Sequence, residues 1–296
     1  MPILRLLCAL LALSAAAPGA AYWEYTHRLV ASIAFDQVQP ATRARIRALL
    51  RESHRLETPE CPTATLEDAS YWADCIKPMG DRFSYQSSWH YQNVDICKPF
   101  SLKDACKDGN CVSAQIERNA RLLADAKLPK RDRVMALAYL AHFVGDLAQP
   151  MHGGDRGDRG GNDVPVTYGV VTGRTNLHGI WDGWIPERAV TTPPGGVRGL
   201  LDGLSAEEKA RLAAGTVEDW SRDSWQNSRD FAYASILGDP CRARGKDERP
   251  MLDEAKLQSL LPAVRRQVTA GGLRLARLLD DALLRGLAPN QRPARD

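Results

Sequence analysis

Hydrophobic residues recur at helical spacing along most of the chain. The clearest segments are THRLVASIAFDQV, ATRARIRALLRES, ATLEDASYWADCI, VSAQIERNARLLADA and RDRVMALAYLAHFVGDLA. Segments that alternate hydrophobic and polar residues, as half-buried strands do, are almost absent. A long glycine-rich stretch, GGDRGDRGGNDVPVTYG, interrupts the helical pattern. The pattern predicts an all-α fold, with a single mainly helical domain and long loops.

The first 21 residues, MPILRLLCALLALSAAAPGAA, differ from the rest of the chain. One arginine precedes a short apolar run, and small residues follow it, which predicts a signal peptide that is cleaved after Ala21. No later segment reaches the roughly 20 apolar residues that a membrane span requires. We therefore expect a secreted or periplasmic protein without a membrane anchor, with one domain at residues 22–286 and a flexible tail at residues 287–296.

Composition limits the possible functions only weakly. The chain has 296 residues, of which 44% are hydrophobic and 25% are charged, so it can bury at least one sizeable core. Its formal net charge of +3 is too small to make the protein a general binder of polyanions. Any contact with phosphate groups must therefore come from a few local side chains.

The cysteines predict disulfides. Removal of residues 1–21 would also remove Cys8 and leave an even set: Cys61, Cys75, Cys97, Cys106, Cys111 and Cys241. An even number of cysteines in an exported protein favours disulfides, here three, over a thiolate zinc site, for which these spacings are unsuitable. Cys106 and Cys111 flank the turn-forming sequence KDGN, so we expect these two to pair. The other pairings stay open.

The segment HFVGDLAQPMH, residues 142–152, carries candidate chemistry. His142 and Asp146 are four residues apart on a predicted helix, so both side chains project from the same face and can reach one ion. Pro150 should end this helix, which would place His152 on the following turn, near a neighbouring ion. A single buried histidine is more often a hydrogen-bonded core residue than a ligand. The other histidines decide between these two interpretations.

Three further histidines lie in similar settings. His178 and Asp182 repeat the spacing of four in NLHGIWD, Asp74 and His90 lie beside aromatic residues, and His27 lies close to the predicted cleavage point. The sixth histidine, His54, lies among charged residues and is assigned no role. Five imidazoles and three carboxylates exceed what one tetrahedral zinc ion needs. Mixed His and Asp ligands favour zinc over Mg²⁺ or Ca²⁺, and multinuclear zinc sites typically hydrolyse phosphate esters.

The order of the motifs adds a family resemblance. YWEYTH, WADCIK, WHYQN, HFVGDLAQPMH, GGND and NLHGIWD follow one another as in the secreted trinuclear-zinc nucleases. The chain therefore resembles the S1/P1 nuclease family, of the mung bean nuclease type, which shares its fold with zinc-dependent phospholipase C. The resemblance implies three Zn²⁺ ions and a zinc-dependent endonuclease that hydrolyses single-stranded DNA and RNA to 5′-phosphorylated products. It leaves open whether 3′-nucleotides are also substrates.

The resemblance also implies a role for each ligand. One zinc ion would be held by Asp74, His90, His142 and Asp146. The Asp146 carboxylate would bridge to a second zinc ion, which is completed by His27 and by the α-amino group and carbonyl of Tyr22. Signal cleavage would then create a ligand. The third zinc ion would be held by His152, His178 and Asp182.

Four further residues match positions that contact substrate in the family. Lys77 would bind phosphate, Tyr91 would stack on a base, Asn93 would orient the attacking water, and Asn162 of the GGN sequence would line the cleft. Asp146, Asn93 and Lys77 are thus the expected catalytic residues, and we expect a monomer. Two alternatives stay open. The first is a zinc phospholipase C, which tends to have Glu at the position of Asp182, and the second is a non-catalytic zinc-binding module with closed ligand shells.

Overall fold

The computed structural model describes residues 24–169, 175–245 and 247–285, and α-helices dominate them. The helices are α1 (Glu24–Gln37), α2 (Pro40–Leu50), α3 (Leu66–Cys75), α4 (Val112–Ala124), α5 (Lys130–Ala148), α6 (Pro150–Gly153), α7 (Leu177–Gly179), α8 (Ile185–Thr191), α9 (Gly196–Leu201), α10 (Ala206–Ala213), α11 (Val217–Asn227), α12 (Ala234–Leu237) and α13 (Glu254–Asp280). The predicted all-α fold is confirmed.

Helix α5 is the centre of the molecule. Every residue from Ala136 to Ala148 is buried, and the helix packs against α1, α3, α4 and α13. A helix that is hydrophobic on all sides belongs in the interior of a large core, and the run MALAYLAHFVGDLA has that character. Because α5 also carries His142 and Asp146, these two polar side chains are buried in the core.

Short parallel strands join the loops. Strand β1 (Val94–Asp95) pairs with β2 (Gly154–Asp155), and β3 (Thr167–Tyr168) pairs with β4 (Met251–Leu252). The register of the first pair sets Val94 opposite Gly154. This pairing brings the loop after His90 beside the residues that follow His152, so two segments distant in sequence meet at one place.

Three disulfides cross-link the described residues. Cys106 and Cys111 are bonded, as the intervening turn predicts, and their Cα atoms are 4.9 Å apart. The two pairs that the sequence left open are Cys61–Cys75 and Cys97–Cys241. The second of these fastens the segment after β1 to the loop that precedes β4.

The structure corrects one expectation, and other expectations concern residues outside the described ranges. Pro150 ends α5, but it also begins α6, so His152 lies on a short helix and not on a turn. Proline is favoured in the first turn of a helix, and the Gln149 side chain accepts a hydrogen bond from the Met151 backbone N–H at this junction. The predicted signal peptide at residues 1–21, Tyr22 and the tail at residues 287–296 lie outside the described residues. Within the described residues, no helix has the length and apolar character to cross a membrane.

Candidate metal centre and cleft

Four ligand atoms converge between α3 and α5. Asp146 Oδ2 lies 2.9 Å from His90 Nδ1 and 3.0 Å from His142 Nε2. His142 and Asp146 are the two residues that the sequence places four positions apart on α5. Asp74, from the last turn of α3, places Oδ1 at 3.5 Å from His142 Nε2 and 3.7 Å from His90 Nδ1. The Nδ1–H of His142 donates to the Ser70 carbonyl oxygen at 2.7 Å, which turns Nε2 towards the two carboxylates.

The second oxygen of Asp146 faces two more imidazoles. Its Oδ1 lies 3.4 Å from His27 Nε2 and 3.2 Å from His152 Nδ1. His27, on α1, stacks on His142 with ring centroids 4.1 Å apart. This approach requires glycine at position 145, because a Cβ atom there would lie 2.5 Å from His27 Nδ1. One carboxylate therefore faces four imidazoles from four segments of the chain.

A separate group forms at the start of α7. His152 Nε2 lies 3.6 Å from Asp182 Oδ1, and His178 Nε2 lies 3.2 Å from Asp182 Oδ2. The Nδ1–H of His178 donates to the Gly160 carbonyl oxygen at 2.7 Å, and the Gln149 amide donates to Asp182 Oδ1. Asp182 lies on a single π-helical turn, Ile180–Trp184, a local widening that is frequent at functional sites.

These atoms fit a bound cation. Asp74 Oδ2 is buried without a hydrogen-bond partner among the described residues, and the buried Asp146 Oδ1 faces the ring nitrogens of His27 and His152 at 3.4 and 3.2 Å. A buried carboxylate oxygen that accepts no hydrogen bond is costly unless a cation compensates it. Three groups bring His and Asp ligand atoms within 4.8 Å of one another: His27, Asp74 and His142; His90, His142 and Asp146; and His152, His178 and Asp182. Imidazole and carboxylate ligands suit zinc.

The electrostatics agree with a site built to attract positive charge. Burial alone would raise the pKa of Asp146, but the imidazoles of His142 and His152 outweigh it and hold this pKa well below its usual range. Burial would lower the pKa of His152, yet the carboxylates of Asp146 and Asp182 raise it to about 10. Burial and the charge of Lys77 lower the pKa of His90 to about 4. The carboxylates are therefore ionised in the interior and attract cations.

A cleft of about 370 Å³ opens above the outer part of this centre. Among the predicted ligands, His90, His152, His178 and Asp182 line it. All four predicted substrate residues, Lys77, Tyr91, Asn93 and Asn162, line it as well. The remaining described ligands, His27, Asp74, His142 and Asp146, are buried. Lys77 Nζ lies 2.5 Å from Asp74 Oδ1, so its ammonium group connects the deep ligands to the cleft.

The sequence interpretation missed Ser87, Asn176 and Arg159, which also line the cleft. Arg159 belongs to the DRGDRG sequence, residues 155–160, which forms a folded loop because Asp155 Oδ1 accepts hydrogen bonds from the backbone N–H groups of Arg156, Asp158 and Gly160. Arg159 adopts a left-handed backbone with φ of 58° and is exposed. The aspartate spacing with interspersed glycines was the available signal for this turn.

Comparisons with known proteins agree with the motifs. The sequence model of the family described as S1/P1 nuclease matches residues 22–284. Endonuclease 2 of Arabidopsis thaliana is 28% identical over 280 residues, which cover 90% of this chain and 92% of that protein. Nuclease S1 of Aspergillus oryzae is 28% identical over 211 residues, covering 69% of this chain and 67% of that protein.

A solved structure, the alpha toxin from Clostridium absonum, is similar with a TM-score of 0.48 and 11% identity. The similarity covers 87% of this chain and 64% of the toxin. The family match covers nearly all of the domain expected from the sequence and confirms the resemblance that the motifs carry. This protein belongs to the S1/P1 nuclease family and is a hydrolase that acts on phosphodiester bonds.

Proposed function

We propose that this protein is an endonuclease that uses three zinc ions to hydrolyse single-stranded DNA and RNA to 5′-phosphorylated products. The observation that carries the proposal is the convergence of three His/Asp groups beneath one cleft that Lys77 and Tyr91 also line. Nuclease S1 and the Arabidopsis endonucleases, similar over much of their length, support this activity. The phospholipase C alternative is not favoured.

The ligand assignment follows from which atoms approach one another. Asp74, His90, His142 and Asp146 Oδ2 would hold one ion, because each of the two imidazole nitrogens lies within 3.7 Å of both carboxylates. Asp146 Oδ1 and His27 would hold the second ion together with Tyr22. His152, His178 and Asp182 would hold the third. When bound, zinc supplies a Lewis acid and lowers the pKa of water towards neutrality.

The cleft residues act on the substrate. The Lys77 ammonium group, paired with Asp74 at the cleft floor, binds a phosphate oxygen and neutralises its charge. Asn93, in a left-handed backbone with φ of 46°, orients a water molecule with its amide but cannot deprotonate it. Strained backbone of this kind is concentrated at functional sites.

Tyr91 accounts for the preference for single strands. Its side chain lines the cleft, and the residue is 39% exposed, so a base can stack on its ring. Stacking on an aromatic side chain contributes about 1–3 kcal/mol per base and requires that the base face be accessible. A base within a duplex is already stacked on its neighbours. The cleft therefore favours unpaired nucleotides of either sugar type.

The proposal can be tested by cleavage of single-stranded DNA and RNA before chelation, after chelation and after zinc is restored. His142→Ala removes a deep ligand, and His54→Ala is the matched control because His54 lies outside the metal centre. We expect zinc-dependent release of 5′-phosphorylated products that is lost in His142→Ala and retained in His54→Ala. If fully zinc-loaded protein leaves both polymers intact, the proposal is wrong, and phosphatidylcholine would be the next substrate to try.

The maturation step is part of the same proposal. Three disulfides fit an exported protein. Signal cleavage after Ala21 would free the α-amino group of Tyr22 for the second zinc ion, and the mature protein would act as a monomer. A variant that retains one extra glycine before Tyr22 should therefore bind one zinc ion less and lose activity. Full activity in that variant would remove Tyr22 from the ligand set.

A further inference from the structure

A second cavity adjoins the cleft. Its volume is also about 370 Å³, and it is lined by Tyr91, Gln92, Asn93, Asp104, Ala105 and Asn110. Tyr91 and Asn93 line both cavities, so they form the shared wall. This second cavity contains none of the proposed zinc ligands. A polymer that lies in the cleft can therefore extend past Tyr91 into it.

The walls of the second cavity are held in place. The Cys106–Cys111 disulfide closes the loop that carries Asn110, and the Val112 N–H donates to the Tyr91 carbonyl oxygen at 3.1 Å. The Asn110 Oδ1 atom accepts a hydrogen bond from the Trp89 indole N–H at 3.3 Å. That bond fixes the amide and leaves its Nδ2 hydrogens for other acceptors. The cavity is thus a preformed surface, which reduces the entropy cost of binding.

The chemistry of the lining residues differs from that of the cleft. The cleft contains Lys77 and Arg159, but none of the six residues of the second cavity is basic. Its charged member is Asp104, a carboxylate that repels phosphate and accepts hydrogen bonds. Its amides can donate as well as accept. The lining therefore offers no cationic contact to the phosphate backbone and suits the hydrogen-bonding edge of a base.

Guanine has the edge that fits this lining best. It presents two adjacent N–H donors, N1–H and N2–H, beside the O6 acceptor. The Asp104 carboxylate can accept from both donors, while the Asn110 amide can donate to O6. Adenine, cytosine and uracil or thymine each present at most one kind of donor group on this edge and so form fewer bonds with a carboxylate.

We propose that the second cavity is a base-recognition subsite for a nucleotide next to the cleaved phosphate, and that Asp104 gives it a preference for guanine. The inference rests on the proposed nuclease function and adds a specificity determinant to it. Asp104 acts on the choice of cleavage position and not on the bond-breaking step. The preference is modest, because Asp104 is exposed and water competes for its oxygens.

The experiment sequences the products of cleavage of a randomised single-stranded oligonucleotide pool. Wild-type protein should enrich guanine at one position beside the cut, and Asp104→Asn should reduce that enrichment by about threefold to tenfold, near the low end of the loss expected for a bidentate base contact because Asp104 is exposed. Asp108→Asn is the matched control. It neutralises a second exposed aspartate, four residues further along the chain and outside the cavity, and its left-handed φ of 57° accommodates Asn.

A chemical substitution gives a second measurement that needs no change of fold. Inosine lacks the N2 amino group of guanine, so replacing guanine by inosine at the preferred position should slow wild-type cleavage but leave Asp104→Asn almost unaffected. An absent guanine preference in wild type, or the same preference in Asp104→Asn as in wild type, would overturn the inference while leaving the nuclease function intact. If wild-type protein does not cleave the pool, both the guanine preference and the proposed nuclease function are wrong.

Discussion

The deep and the outer metal groups of this protein are built in different ways. The deep group, with Asp74, His142 and Asp146, lies on α3 and α5, and its side chains are 0% exposed. The outer group includes His178, whose side chain is 16% exposed, on the three-residue helix α7. The first group is part of the hydrophobic core, whereas the second lies at the wall of the cleft. Metal binding should therefore contribute to the fold in one case and mainly to catalysis in the other.

The supports of the two groups differ in the same way. The His142 ring is held by the Ser70 carbonyl, which belongs to the packed pair of helices α3 and α5. The His178 ring is held by the Gly160 carbonyl, which belongs to a loop with left-handed glycines. Loops tolerate local change more readily than packed helices. A change at the outer group should therefore remain local, whereas a change at the deep group should spread through the core.

The largest effect is expected at Asp146, the carboxylate that faces four imidazoles. Asp146→Asn keeps the shape but removes the negative charge that two zinc ions would share. We expect a loss of activity on the order of a thousandfold or more and a zinc content that falls from three ions to one. The measurement is kcat/KM on a single-stranded oligonucleotide together with metal content by mass spectrometry. Asp132→Asn, at the other end of α5, is the control, and unchanged zinc content in Asp146→Asn would refute the shared-ligand assignment.

The next variant separates the two groups directly. His178→Ala should remove one zinc ion and about a hundredfold or more of the activity, with only a small change in melting temperature, because the side chain is partly exposed and outside the packed helices. His142→Ala should also lose activity but should lower the melting temperature clearly, because it leaves two buried carboxylates undercompensated. Equal melting temperatures for the two variants would contradict the expectation that the deep group contributes more to the stability of the fold than the outer group.

A smaller effect should follow from a change in the support of the outer group. Gly160 has φ of 61°, and a Cβ atom there would lie 2.6 Å from the Met151 carbonyl oxygen. Gly160→Ala should shift the carbonyl that holds His178 and weaken binding of the third zinc ion by about tenfold to a hundredfold, as other changes behind metal ligands do. Gly157→Ala, in the same loop with φ of 82° but with no atom within 4 Å, is the matched control. Zinc titration of the third site measures both, and equal affinities would show that the loop does not position His178.

The sequence predicted the local parts of this centre better than the distant ones. His142 and Asp146, four residues apart, were predictable because helical geometry fixes their spacing. The approach of His27 to Asp146 depends on how α1 packs on α5, and hydrophobic periodicity alone does not specify that packing. The prediction that both residues bind the same ion came from the family motifs. The folded loop around Asp155 was missed because it depends on which backbone N–H groups need an acceptor, and hydrophobic patterning carries no such information.

The smallest effect should come from Arg159 on the rim of the cleft. Arg159 lines the cleft, so its guanidinium group can contact a substrate phosphate, but exposure to solvent limits the strength of that contact. Arg159→Ala should raise KM severalfold, leave kcat almost unchanged and lower the slope of log affinity against log salt by about one unit. Arg131→Ala, an exposed arginine that does not line the cleft, should leave all three unchanged. A fall in kcat without a change in the salt slope would instead place Arg159 among the groups that act on the outer metal group.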